Sequence, residues 1–149
     1  MFDHLMKIAI GSDHAGYKYK EVLKEYFEAQ HITIRDFGTS SEESVDYPNI
    51  IHPLARAVDS NEFPRGIIIC GSGNGVAMVA NKYANVRAAV CWNEDITRLS
   101  RLHNDANIIA LPARFISVEQ ALEFVKIFIS TQFEGGRHLK RVEKISKLS

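Results

Sequence analysis

The sequence predicts a doubly wound α/β fold, a mainly parallel five-stranded sheet of Rossmann-like, flavodoxin-like shape with a C-terminal helical tail. Three observations carry this. Five short apolar runs alternate with longer stretches of helical period, the order that right-handed strand–helix–strand crossovers produce. Several of the runs lack the polar alternation of a one-sided sheet, so they read as strands buried on both faces. Polar, glycine-containing turns follow the first and third runs, where a strand must give way to a helix.

The first strand covers residues 6–10 and leads into Gly11-Ser-Asp-His-Ala-Gly16. Tyr19, Val22, Leu23, Tyr26 and Phe27 then share one helical face, which leaves Lys18, Lys20, Glu21, Lys24 and Glu25 mostly to solvent. Residues 32–37 form the second strand. Pro48, after Asp46-Tyr47, suits the first turn of the next helix, where its missing N–H costs nothing. Residues 66–70 are the third strand and run into Cys70-Gly-Ser-Gly-Asn-Gly75. Residues 88–91 and 108–111 are the last two strands, and Val118, Ala121, Leu122, Val125 and Ile129 repeat the amphipathic pattern. Glu134-Gly135-Gly136 breaks that helix. The tail from Arg137 to Ser149 carries Arg137, His138, Lys140, Arg141, Lys144 and Lys147, with a narrow stripe of Leu139, Val142 and Ile145. A stripe that thin contributes little to a core, so the tail is expected to pack on a partner subunit.

The 149 residues fit a single domain, 1–149, with no linker or repeat. Eighteen basic and eighteen acidic side chains cancel, which argues against nucleic acid or an anionic membrane as partner. No apolar run approaches the roughly 20 residues of a membrane span, and the opening residues lack a signal-peptide layout. Cys70 and Cys91 form neither a disulfide framework nor a CxxC pair, and read as reduced thiols of a cytoplasmic protein. The six histidines make no HxxxH or HExxH pattern, so neither metal nor other cofactor is expected.

Ligands of such folds sit at the carboxyl ends of the strands, which directs attention to the turns that follow them. Gly71, Ser72, Gly73, Asn74 and Gly75 let the backbone approach a ligand and aim N–H donors at anionic oxygens, although the same glycines also serve a plain tight turn. Val76 departs from a dinucleotide fingerprint, and the Gly-Lys-Ser/Thr of a P-loop is absent. Cys70 alone reads as a small core residue. Beside a loop of backbone N–H groups, however, a thiol has the surroundings of a base or nucleophile. Asp13 and His14 face the same edge. His103, next to Asn104 and Asp105, either serves acid–base chemistry with one of them as orienter or is merely solvated. Arg137 and Arg141, four apart, share a helical face, and form either a bidentate anion clamp or a solvated basic face, with Arg114 as a third charge.

Together these segments resemble the ribose-5-phosphate isomerase B family, which includes galactose-6-phosphate isomerase subunits. The matching stretches are Ile8-Ala-Ile-Gly-Ser-Asp-His-Ala-Gly16, Asp46-Tyr-Pro48, Ile69-Cys-Gly-Ser-Gly-Asn-Gly75, Ala80-Asn-Lys82, Leu99-Ser-Arg-Leu-His-Asn-Asp105 and Phe133-Glu-Gly-Gly-Arg-His-Leu-Lys-Arg141, nearly the whole chain in register. The resemblance implies a metal-free, cofactor-free aldose–ketose isomerisation of ribose 5-phosphate and ribulose 5-phosphate. Cys70 would be the base acting through a cis-enediolate, His103 would open the sugar ring, and Ser72 would be a third catalytic residue. Asp13, His14, the 71–75 loop, Asn104, Arg114, Arg137 and Arg141 would bind substrate. It also implies a homodimer or dimer of dimers with shared active sites. Some members carry Thr where Ser72 stands, keeping a hydroxyl there, and some lack the Cys and use a Glu elsewhere. The alternatives are a hexose-6-phosphate isomerase on the same scaffold, of allose or galactose type, and a non-catalytic sugar-phosphate-binding module.

Overall fold

The computed structural model describes residues 5–148, so residues 1–4, read above for a targeting segment, and Ser149 at the end of the tail lie outside it. Strands β1 (Lys7–Ser12), β2 (Thr33–Asp36), β3 (Arg65–Cys70), β4 (Ala88–Val90) and β5 (Ile108–Pro112) form one parallel sheet in the order β2-β1-β3-β5-β4. The three central strands are buried almost throughout, whereas edge strands β2 and β4 are not. That matches the continuous apolar runs at 66–70 and 108–111. β1 extends two residues past its apolar run because Gly11 and Ser12 still pair with Ile68 and Ile69 of β3.

Helices α1 (Tyr17–Ala29), α2 (Tyr47–Asp59), α3 (Asn74–Ala80), α4 (Glu94–Leu102), α5 (Val118–Ser130) and α6 (Arg137–Lys144) complete the chain. Leu23 and Phe27 of α1 and Phe124, Val125 and Phe128 of α5 bury one sheet face against Ile8, Ile10, Ile67 and Ile69. Ile51, Leu54 and Val58 of α2 and Val76 and Ala80 of α3 bury the other against Ala9, Ile68 and Ala110. α5 ends at Ser130, four residues before the Glu134-Gly135-Gly136 break expected from the sequence, because Thr131 is already extended; the short α6 follows the glycines as expected.

The solvent face assigned to α1 needs one correction. Lys20 is fully buried and Val22 is 41% exposed. The ammonium is tolerated because Asp36, at the end of β2, accepts from Lys20 Nζ at 2.7 Å, with Glu21 at 2.9 Å. Helical periodicity cannot foresee a carboxylate supplied by a neighbouring strand. Burial alone would raise the Asp36 pKa, but hydrogen bonds from Lys20, the Gly38 amide and Lys24 outweigh it and hold it below the ordinary value. Asp36 therefore stabilises the fold fully above its unfolded pKa, near 4, and that contribution is lost as pH falls through the lower folded value. Asp36→Asn should cost about 2–4 kcal/mol at pH 7, since it leaves Lys20 buried beside one remaining carboxylate. Thermal melts from pH 7 to 3 should show the wild-type advantage shrinking toward acid; a constant gap would contradict this role.

Candidate active site

The chain reverses direction across the sheet at β1, which lies between β2 and β3, and the crevice above the carboxyl ends of β1 and β3 is where such folds hold ligands. Cys70 ends β3 there, 6% exposed, and its Sγ accepts the Gly73 N–H at 3.1 Å. Gly73 sits at φ +77°, a left-handed conformation costly for any residue with a Cβ, and this bends the loop back over the sulfur. Ser72 Oγ accepts the Asn74 N–H at 3.2 Å, steadying the start of α3.

Neighbouring strands bring the rest. Ala113 and Arg114, just past β5, donate their N–H groups to the carbonyls of Cys70 at 2.9 Å and Gly71 at 3.0 Å. The Arg114 side chain lies so close over Gly71 that a Cβ there would stand 3.1 Å from its Nε. Past β1, Asp13 donates its N–H to the Ile69 carbonyl at 3.1 Å, and its carboxylate caps the single 3-10 turn His14–Gly16 by accepting the Gly16 N–H at 3.1 Å. His14 Nδ1 accepts from the Val45 N–H at 3.3 Å, which ties it to the segment before α2. Tyr47, the first residue of α2, covers Gly75: an added Cβ would meet its hydroxyl at 2.7 Å. One edge of the chain thus holds Cys70, Ser72, the glycine loop, Asp13, His14, Arg114 and Tyr47.

His103 and the two tail arginines are elsewhere. In a parallel sheet the helix between β4 and β5 must run back, so His103, capping the end of α4, reaches the amino edge of β5. The four steps from Ile108 to Pro112 alone span about 13 Å of strand. At that edge the His103 ring stacks on His138 of α6, with centroids 4.2 Å apart and planes at 16°. Glu134 places a carboxylate oxygen 3.9 Å from Nε2 of each. Asn104, Arg141, Val142 and Ile145 complete a cavity of about 330 Å³, while Arg137 is exposed at the first turn of α6. Burial, reinforced by His103, Arg137 and Arg141, pushes the His138 pKa below the ordinary value, with Glu134 opposing.

Two details differ from the sequence reading. Asp105 does not orient His103, because its carboxylate is held by Arg101 at 2.8 Å and Arg87 at 3.3 Å. Arg114 does not join Arg137 and Arg141 within one chain, because the sheet separates them. His103, Glu134 and His138 bring three donor atoms within 4.8 Å of one another. Stacked, nearly parallel rings point their in-plane lone pairs side by side, so these donors do not converge on one tetrahedral ion.

The sequence model of ribose/galactose isomerases matches residues 8–145. The chain belongs to the ribose/galactose isomerase family. It is 40% identical over 144 residues to ribose-5-phosphate isomerase B of Escherichia coli (strain K12), a match covering 97% of each chain. Ribose 5-phosphate isomerase of Thermotoga maritima superposes with a TM-score of 0.94 at 47% identity, over 97% of this chain and 100% of the other. The Mycoplasma genitalium enzyme, solved with bound ribulose-5-phosphate, gives 0.93 at 35% identity over 97% and 96%.

Both edges of the isomerase fall inside the matched segment. The residues that sequence reasoning passed over are Tyr47, Glu134 and His138. Each stood in a stretch that carried the resemblance, and Glu134 and His138 are four apart, but nothing local indicated that His138 would be buried against His103. No helix among the described residues is long and apolar enough to cross a membrane.

Proposed function

We propose that this isomerase interconverts ribose 5-phosphate and ribulose 5-phosphate, with Cys70 as the base. The observation that carries the reading is the Cys70 sulfur, buried at a strand end and turned to a loop of backbone donors that includes the Gly73 N–H at 3.1 Å. Removing a carbon-bound proton requires a base near that carbon and donors where negative charge develops on oxygen, and residues 70–75 supply both.

The reaction begins with ring opening. The C1–O4 bond breaks, O4 takes its electron pair and a proton from His103, and the C1 hydroxyl gives up its proton to become the aldehyde. Cys70 then removes the C2 proton, and the electron pair moves through a C1–C2 double bond onto O1, forming the cis-enediolate. The C2 hydroxyl proton passes to O1 as the Cys70 proton returns to C1, which leaves a C2 carbonyl and a C1 hydroxyl, the ketose, with no net redox change. Asp13 and Asn104 hold sugar hydroxyls, Ser72 steadies the loop over the reacting carbons, and His14, Arg114, Arg137 and Arg141 bind the phosphate. Binding energy from that remote group orients C1 and C2.

Because Cys70 and His103 lie at opposite sheet edges of one chain, the complete site is formed by two chains. One contributes Cys70, Asp13, His14 and Arg114, and the other His103, Asn104, Arg137 and Arg141. The half-exposed Leu139 and Ile145 of the tail fit a partner surface. Two unpaired, buried cysteines suit the reducing cytoplasm. The deciding assay offers ribose 5-phosphate, allose 6-phosphate and galactose 6-phosphate. Preferred turnover of the pentose is expected; turnover of a hexose phosphate alone moves the enzyme to the galactose side of its family, and no turnover with tight binding makes it a sugar-phosphate-binding module.

A further inference from the structure

Arg101, on α4, is the largest fully buried side chain among the described residues, 2% exposed, beside the buried Thr97 and Ser100 of the same helix. Its guanidinium donates to Asp105 Oδ1 at 2.8 Å, to the Ala106 carbonyl at 2.6 Å and, through Nε, to the Thr131 carbonyl at 2.9 Å, with the Phe128 ring centroid 5.7 Å away. These acceptors lie on two segments distant in sequence. One is the turn of residues 102–106 carrying His103 and Asn104, where Asp105 takes φ +47°. The other is residues 131–134, ending in Glu134, whose N–H donates to the Leu102 carbonyl at 3.1 Å. Burying a guanidinium is no efficient route to stability, since well-packed apolar groups often do as well. What the planar fork supplies is a fixed geometry among its acceptors.

We propose that Arg101 is a positioning residue for His103 in ring opening, locking the 102–106 turn to the 131–134 segment so that the imidazole keeps its place between solvent, Glu134 and His138. This rests on the ring-opening role given to His103 above. The substrates themselves separate the two halves of the reaction. Ribulose 5-phosphate carries its phosphate on O5, the oxygen needed to close a furanose, and is therefore acyclic, whereas ribose 5-phosphate must be opened. A residue acting through His103 affects conversion of ribose 5-phosphate but not exchange of the C1 proton of ribulose 5-phosphate with solvent. A residue that only supports the fold affects both alike.

The test measures both rates, with deuterium uptake into ribulose 5-phosphate as the second, for wild type, His103→Asn, Arg101→Lys and Asp105→Asn. Lysine keeps the charge but cannot span the three acceptors. With both rates read at saturating substrate, so that a weakened Asn104 contact appears in KM, Arg101→Lys should slow ribose 5-phosphate conversion about tenfold or more while deuterium uptake stays within about twofold, and His103→Asn should show the same split. Equal loss of both rates, or no loss of either, in Arg101→Lys overturns the proposal while a split in His103→Asn leaves the His103 role intact. No split in His103→Asn overturns both. Should Arg101→Lys fail to fold, Asp105→Asn, which leaves Arg101 two of its acceptors, is read by the same outcomes.

Discussion

Cys70→Ala should lower ribose 5-phosphate isomerisation about 10²–10⁴-fold, the usual cost of deleting a general base, while the protein stays folded. The fold tolerates the change because Cys70 lies at the end of β3, and alanine removes only a sulfur that accepts the Gly73 N–H. The glycine loop, Arg114 and Asp13 are held by backbone hydrogen bonds that do not involve that sulfur, so phosphate affinity should be retained. Iodoacetamide offers a second measure. It should inactivate the wild type with one label per chain, and inorganic phosphate or substrate should slow the reaction. Cys91 should stay unlabelled, since it is fully buried and burial pushes its thiol pKa up. An alanine variant that turns over normally would mean that another residue is the base.

Mixing two impaired variants should restore activity. Arg141→Ala should cost about ten- to a hundredfold in kcat/KM through loss of one charge-assisted phosphate contact, worth roughly 1.5–3 kcal/mol. If each site takes Cys70 from one chain and Arg141 from the other, a mixed dimer of Cys70→Ala and Arg141→Ala chains has one intact site and one doubly altered site. After dissociation and reassociation at equal amounts, roughly half the dimers are mixed, so about a quarter of wild-type activity should return. Arg114→Ala mixed with Cys70→Ala is the control. Both residues sit at the carboxyl edge of one chain, so every mixed site stays singly damaged and no recovery is expected. Recovery in the control, or none with Arg141→Ala, would overturn the two-chain site.

Much of the fold is legible in sequence because strands buried on both faces leave uninterrupted apolar runs, as at Ile67-Ile68-Ile69 and Ile108-Ile109-Ala110. Strand ends are less so. Gly11 and Ser12 join β1 through pairing with β3, and the apolar period of α1 misplaces Lys20, whose partner Asp36 lies sixteen residues on. The site divides in the same way. Cys70 and the 71–75 loop stand out because three glycines follow a strand, a local feature. His138 does not, because its burial depends on how α6 packs against the end of α4.

The order of apolar runs and helical periods, by itself, determined the fold class, the glycine cradle beside Cys70 and the pairing of Arg137 with Arg141 on one helix. Each of these is set by contacts between residues close in the chain, where spacing alone dictates which side chains meet. Only the tertiary structure decided that Asp105 belongs to Arg87 and Arg101, that Glu134 and His138 are the neighbours of His103, and that His103 and Cys70 occupy opposite edges of one sheet. The reason is geometric. A parallel sheet requires every crossover helix to return to the amino edge, so residues at a strand's end and at the following helix's end are separated by the full length of the strand, however close they stand in sequence.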